Sequence, residues 1–153
     1  MRKARDAMSN SSGDPAGWRR LDLDDPFLDR VGPVFIADAF AGDETEPARF
    51  GFRIEPHHCN FAGICHGGML ATVLDIALGR SIAALIEGAH APTVTLAIDF
   101  MRAAMLGDWL ESRVRILRRT RSMVFCDTVL VGPGGTAARA NAVFKLPSTA
   151  ARG

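Results

Sequence analysis

The sequence predicts an α+β domain in which one long central helix is wrapped by a curved antiparallel sheet of about five to six strands. Three observations predict it. Only the stretch around residues 67–86 is long and apolar enough for a long helix. The segments on either side alternate apolar and polar residues with the two-residue period of strands, and their connections are short and rich in Gly, Asp and Pro. A helix that is apolar around its circumference cannot lie on a surface, so a sheet must curve over it.

Each element follows from local chemistry. Residues 1–17 are rich in Ser, Asn, Gly and charge without periodicity and are expected to form an arm outside the fold, with residues 18–147 as a single domain and 148–153 as a tail. Asp25 suits a helix cap, with Pro26 at the first position of a short helix carrying Phe27 and Leu28. Residues 34–40 and 49–56 read as a hairpin around a turn at Gly42–Pro47, because Phe50, Phe52 and Ile54 alternate with Arg49, Arg53 and Glu55. The segment His57–Gly68 is irregular, and a helix runs from about Gly67 to Ile86 and stops at Gly88. Four strands follow: one with Val94, Leu96, Ile98 and Phe100, one with Val114 and Ile116 after Gly107-Asp108, one over 124–131, and, past a turn at 132–135, one over 137–146.

Composition bounds the function. The chain has 153 residues, room for one core. Its 18 Lys and Arg against 17 Asp and Glu leave a charge of +1, which argues against a protein held to nucleic acid by phosphate contacts. Three cysteines are too few, and odd in number, for a secreted disulfide framework, so a cytoplasmic location is expected. Met1–Gly17 lacks the apolar run of a secretory signal. Asp75, Arg80 and Ser81 interrupt the apolar stretch 69–86, which points to a helix buried in protein and not in a membrane.

The chemistry concentrates where the irregular segment meets the long helix. Gly67 and Gly68 at a helix start each cost roughly 0.5–1 kcal/mol against Ala, and a functional return is a bare helix end whose N–H groups another molecule can approach. A tight turn that needs positive φ explains the same pair. Asp75 sits among Val73, Leu74, Ile76, Ala77 and Leu78. If the helix is buried, so is this carboxylate, which then either pairs with a cation such as Arg80, lies at a solvated helix edge, or acts as a base. Asp75 lies nine positions beyond His66, about 13.5 Å along a helix and on its opposite face. If the two regions share a site, two antiparallel copies of the helix must supply it, so the functional unit is an oligomer.

The set Asn60-x-x-Gly63-x-x-His66-Gly67-Gly68, then Asp75, then Thr93 opening a strand and Gly107-Asp108 opening the next, resembles the hotdog-fold acyl-CoA thioesterases of the phenylacetic-acid-degradation (PaaI-like) group. The resemblance spans roughly Pro26 to Leu146. It implies a hydrolase that converts acyl-CoA thioesters to a carboxylic acid and free CoA, working as a homodimer or homotetramer. CoA is part of the substrate, and no cofactor, metal, nucleic acid or membrane partner is implied. By the same resemblance Asp75 is the general base or nucleophile, Gly67 N–H binds the thioester carbonyl, and Asn60 positions that carbonyl or the water from across the interface. His66 orients the loop and assists departure of the thiolate, and Thr93 holds the attacking water. Gly68, with Arg118, Arg119, Arg121 and Ser122 at a turn suited to phosphate, falls to the CoA moiety. Cys65 departs from the pattern, standing where such sequences more often carry an aliphatic residue or Thr.

Two other readings compete. A hotdog module could bind an acyl thioester or aromatic ligand without turning it over. His57, His58, Cys59, Cys65 and His66 offer five metal-ligand types in one short segment, although paired Cys-x-x-Cys spacing is missing.

Overall fold

Alternating burial sets the sheet. In the computed structural model, which describes residues 15–39, 45 and 47–148, the strands are β1 (Trp18–Arg20), β2 (Phe35–Ala37), β3 (Phe50–Arg53), β4 (Thr93–Phe100), β5 (Trp109–Arg119), β6 (Met123–Gly132) and β7 (Gly135–Lys145). All pairings are antiparallel, in the order β1-β2-β3-β5-β6-β7-β4. The 7-stranded sheet exceeds the expected five to six strands. The additional strand, β1, is three residues long, too short to display a period. It is held by pairing of Trp18 with Ala37 and by packing of Trp18 and Phe35 against Trp109. The expected arm and tail lie almost wholly outside the described residues, as does most of the turn 42–47.

Two helices complete the domain, α1 (Leu28–Val31) and α2 (Gly67–Leu85). The Asp25 carboxylate accepts the N–H groups of Phe27 at 3.0 Å and Leu28 at 3.1 Å, so it caps the turn leading into α1 as its residue type predicts. Helix α2 ends where Gly88, at φ +80°, donates its N–H to Ala83 O.

The core lies between α2 and the concave face of the sheet. Inward residues of the central strands are Leu110, Ser112 and Val114 on β5, Val124, Cys126, Thr128 and Leu130 on β6, and Ala138, Ala140, Ala142 and Phe144 on β7. The three alanines in succession on β7 leave room for a helix to approach the sheet closely, and α2 fills it with Met69, Leu70, Val73, Leu74, Ala77, Leu78, Ser81 and Ile82. That helix is apolar and long enough to span a bilayer by composition, yet this face of it is the centre of the protein core. Burial is one-sided, however. Ala71, Thr72, Asp75, Ile76 and Gly79 are only partly covered, because the sheet curves over one flank of the helix and does not enclose it.

Strand β4 follows α2 in sequence but crosses to the sheet margin, where it pairs only with β7. It is eight residues long, with its other edge open among the described residues and with Val94 (51% exposed) and Phe100 (57% exposed) only partly covered. A long open edge with apolar side chains is a pairing surface.

The packing predicts that Leu78→Ala, at a fully enclosed helix position, lowers stability by about 2–5 kcal/mol. A urea midpoint shift with an unchanged slope is the expected result.

Candidate functional site

The loop into α2 is built by its own side chains. Asn60 Oδ1 accepts the N–H groups of Ala62 (2.9 Å) and Ile64 (3.3 Å), and Gly63 adopts φ +72°, so residues 60–64 form a tight turn. Using Oδ1 this way leaves the Asn60 NH2 group as the part that can face a ligand. The turn is anchored by Cys65 N–H to Ala104 O at 2.9 Å.

His66 is the N-cap of α2, and its Nδ1 accepts the Gly68 N–H at 2.9 Å. Nδ1 is therefore the acceptor nitrogen, and in the neutral ring the proton sits on Nε2. The N–H groups of Met69 and Leu70 both reach His66 O. Of the N–H groups opening the helix, only that of Gly67 has no partner among the described residues. The pair Gly67-Gly68 thus divides its work: Gly68 spends its N–H on the cap, leaving no main-chain donor there for a ligand, and Gly67 presents a bare donor at the positive end of a long helix. The Phe100 ring lies 3.4 Å from where a Cβ on Gly67 would stand. Ile64, Cys65, Leu70, Phe100 and Met101 line a cavity of ≈ 370 Å³ beside this donor.

Asp75 occupies a different cavity, of ≈ 320 Å³, with Ile76, Arg80, His90, Thr93 and Phe144 among its lining. The expectation that it is buried does not hold within one chain. It lies on the partly covered flank of α2, away from the sheet-facing stripe. Thr93 Oγ1 donates to Asp75 Oδ1 at 2.8 Å. So Asp75 and Thr93 meet, Asn60 shapes the turn that leads to the His66–Gly67 helix tip, and the two cavities share no lining residue. Strand β4 joins them, beginning at Thr93 in the first and ending at Phe100 in the second.

Arg118 and Arg119 end β5 and Arg121 and Ser122 lie on the turn into β6, all four exposed. Thr120 is taken by that turn, its Oγ1 accepting the Met123 N–H at 3.0 Å. Register puts the turn at the Asp75 end of the sheet, since Met123 pairs with Lys145, Val124 with Phe144, and Phe144 with Thr93.

The five residues weighed as metal ligands do not converge, and no group of three His, Cys, Asp or Glu suited to a metal occurs among the described residues. His58 is buried with both nitrogens engaged: Nδ1 accepts the Glu55 N–H at 3.0 Å and Nε2 donates to Val31 O at 2.8 Å. Burial, assisted by the neighbouring His57, holds it below the usual histidine range, so it is a neutral tie between the loop and α1. Burial pushes the Cys65 thiol up to about 12, so it stays protonated at neutral pH and is set aside as the nucleophile of a hydrolysis. Sequence reasoning missed the tie by His58, since only its enclosure distinguishes it from His57.

A long helix under an antiparallel sheet is the hotdog architecture. The profile of the thioesterase superfamily matches residues 62–137. A Pseudomonas aeruginosa protein whose name gives it as a candidate esterase is 35% identical over 134 residues, covering 87% of this chain and 97% of its own. Mouse acyl-coenzyme A thioesterase 13 is 27% identical over 78 residues, 51% of this chain and 56% of its own. Zebra fish thioesterase superfamily member 2 superposes with a TM-score of 0.71 at 28% identity, over 81% of this chain and 89% of that one. The Escherichia coli PaaI protein from the phenylacetic acid degradation operon superposes with a TM-score of 0.70 at 21% identity, over 82% and 88%. The chain belongs to the thioesterase superfamily.

His58 sets a pH dependence. Its folded form binds a proton less readily than its unfolded form, so stability is full above the usual histidine range and falls as pH drops through about 6.5. Urea midpoints between pH 7.5 and 5.5 should decline in the native chain, while His58→Gln should start lower and vary less.

Proposed function

We propose that the chain hydrolyses acyl-CoA thioesters at a site assembled from two copies, with Asp75 of one copy and Gly67 of the other acting on the same carbonyl. One observation carries the reading: the helix-end donor and the carboxylate lie in separate cavities of one chain, at opposite ends of an open edge strand.

Two-fold pairing of β4 with its copy joins these halves. In an antiparallel pair related by a two-fold axis, the Thr93 end of each strand meets the Phe100 end of the other. Asp75 of one copy is thereby brought toward Gly67 of its neighbour, and the apolar edge is covered. A homodimer satisfies the site, and a homotetramer satisfies it twice.

The chemistry then follows from each group. Gly67 N–H and the positive helix end stabilise negative charge on the thioester oxygen as the carbon becomes tetrahedral. Thr93 fixes Asp75 through Oδ1, leaving Oδ2 to take a proton from the attacking water, which Thr93 helps to hold. The Asn60 NH2 group, freed by its own Oδ1 turn, orients the carbonyl or the water. His66 keeps Gly68 engaged and the helix tip in place, and its Nε2–H can donate to the departing thiolate. Collapse of the intermediate releases the acid and CoA. Arg118 and Arg119 at the end of β5, with Arg121 and Ser122 on the turn that follows, lie at the Asp75 end and suit CoA phosphates. Similarity to an acyl-CoA thioesterase supports this choice of substrate.

Asp75→Asn should lower thiol release from acyl-CoA by about 10²-fold or more with little change in ligand binding. If neither native chain nor variant releases thiol and both bind acyl-CoA equally, the protein is a binding module. Gly67→Pro tests the donor, because proline fits the first helical position and replaces the N–H with a ring carbon, and His66 already has the extended backbone that precedes proline. Its turnover should fall about 10²–10³-fold relative to Gly67→Ala, which adds a Cβ but keeps the N–H.

A further inference from the structure

The loop before α2 holds two thiols that the hydrolytic site does not use. Cys59 and Cys65 face each other as an isolated antiparallel bridge. The hydrogen bonds of that bridge flank the pair: Asn60 N–H donates to Ile64 O and His66 N–H to His58 O, both at 2.8 Å. This is the non-hydrogen-bonded arrangement, in which Cα atoms stand about 4.5 Å apart and the two side chains project on the same face. A disulfide spans Cα separations of about 4.4–6.8 Å. Both thiols are free and both pack against the core, Cys59 partly exposed and Cys65 at 4% exposure. Cys59 is also close enough to add to the upward shift that burial imposes on Cys65.

We propose that Cys59 and Cys65 are a redox-active dithiol that a small disulfide, such as oxidised glutathione, closes into an intrachain disulfide, and that closure slows turnover at the adjoining helix tip. Cys59 is the more accessible and reacts first: its sulfur, as thiolate, attacks one sulfur of the small disulfide, that S–S bond breaks, and one small thiol leaves with a proton. Cys65, kept largely protonated by its enclosure, loses its proton to solvent in the slow step and attacks the Cys59 sulfur, expelling the second small thiol. The two cysteines lose two electrons and the oxidant gains them, becoming two thiols.

Closure reaches the site through geometry. A disulfide favours Cα atoms about 5.5–6 Å apart, roughly 1 Å wider than the open pair. The pair brackets Asn60 and ends one residue before His66, so spreading it displaces the Asn60 amide relative to Gly67 N–H. Displacement of about 1 Å at a catalytic group can cost up to about 10²-fold in rate. The effect on turnover rests on the proposed hydrolysis, whereas formation of the bond does not.

The full chain is incubated with oxidised glutathione, desalted, and followed by intact mass, peptide mapping and thioester turnover. Expected are the loss of two hydrogens, a linked Cys59–Cys65 peptide, and a fall in turnover of about tenfold or more that dithiothreitol reverses. Cys59→Ser should retain turnover and resist the oxidant. Asp75→Asn should form the same linked peptide, so bond formation is read even if hydrolysis fails. A lasting glutathione adduct on Cys59 with Cys65 free, or two unreacted thiols, would overturn the dithiol. A linked peptide with unchanged turnover would overturn its control of the site.

Discussion

A single rigid helix separates the two groups on which the proposed hydrolysis depends. The Gly67 N–H, unpartnered among the described residues, lies at its tip and Asp75 about two turns further on, in a cavity of its own. No rotation of side chains closes that gap, because the helix is clamped by a sheet whose alanine-lined strand β7 lets it sit close. The constraint passes from packing to assembly. The hydrolysis we propose requires a second copy, and the open edge of β4 provides a surface on which one can pair.

The two halves of the site are held by different means. The helix tip depends on local bonds, with His66 Nδ1 fixing Gly68, Asn60 Oδ1 shaping the turn, and His58 tying the loop to α1. The carboxylate depends on long-range structure, since Thr93 reaches it only because β4 crosses to the sheet margin beside α2. Local bonds preorganise the donor at little cost. The partial exposure of Asp75 in one chain leaves its final environment to the interface.

Much of this was legible in the sequence. The long helix carried an unbroken apolar run and the last four strands clear periods, and their observed bounds follow closely, whereas the hairpin expected over 34–40 and 49–56 keeps only Phe35–Ala37 and Phe50–Arg53 as strand. Strand β1 was not legible, because three residues show no alternation and tertiary packing of Trp18 on Trp109 holds it. The partial exposure of Asp75 was hidden for a related reason: apolar neighbours on every side suggested enclosure, but the sheet covers one flank only. The division of labour between Gly67 and Gly68 was also out of reach, because it depends on where the imidazole of His66 points. The pairing of Asp75 with Thr93 was anticipated only through family resemblance, since the two are distant in sequence.

Hybrid assembly tests the shared site most directly. Asp75→Asn and Gly67→Pro chains, each inactive alone, are unfolded together in equal amounts, refolded, and assayed for thiol release. Half of randomly formed dimers are hybrids, and each hybrid holds one intact site made of Gly67 from one chain and Asp75 from the other. The account therefore predicts recovery of about a quarter of native activity. A mixture that assembles into hybrids yet stays as inactive as its parents would contradict it.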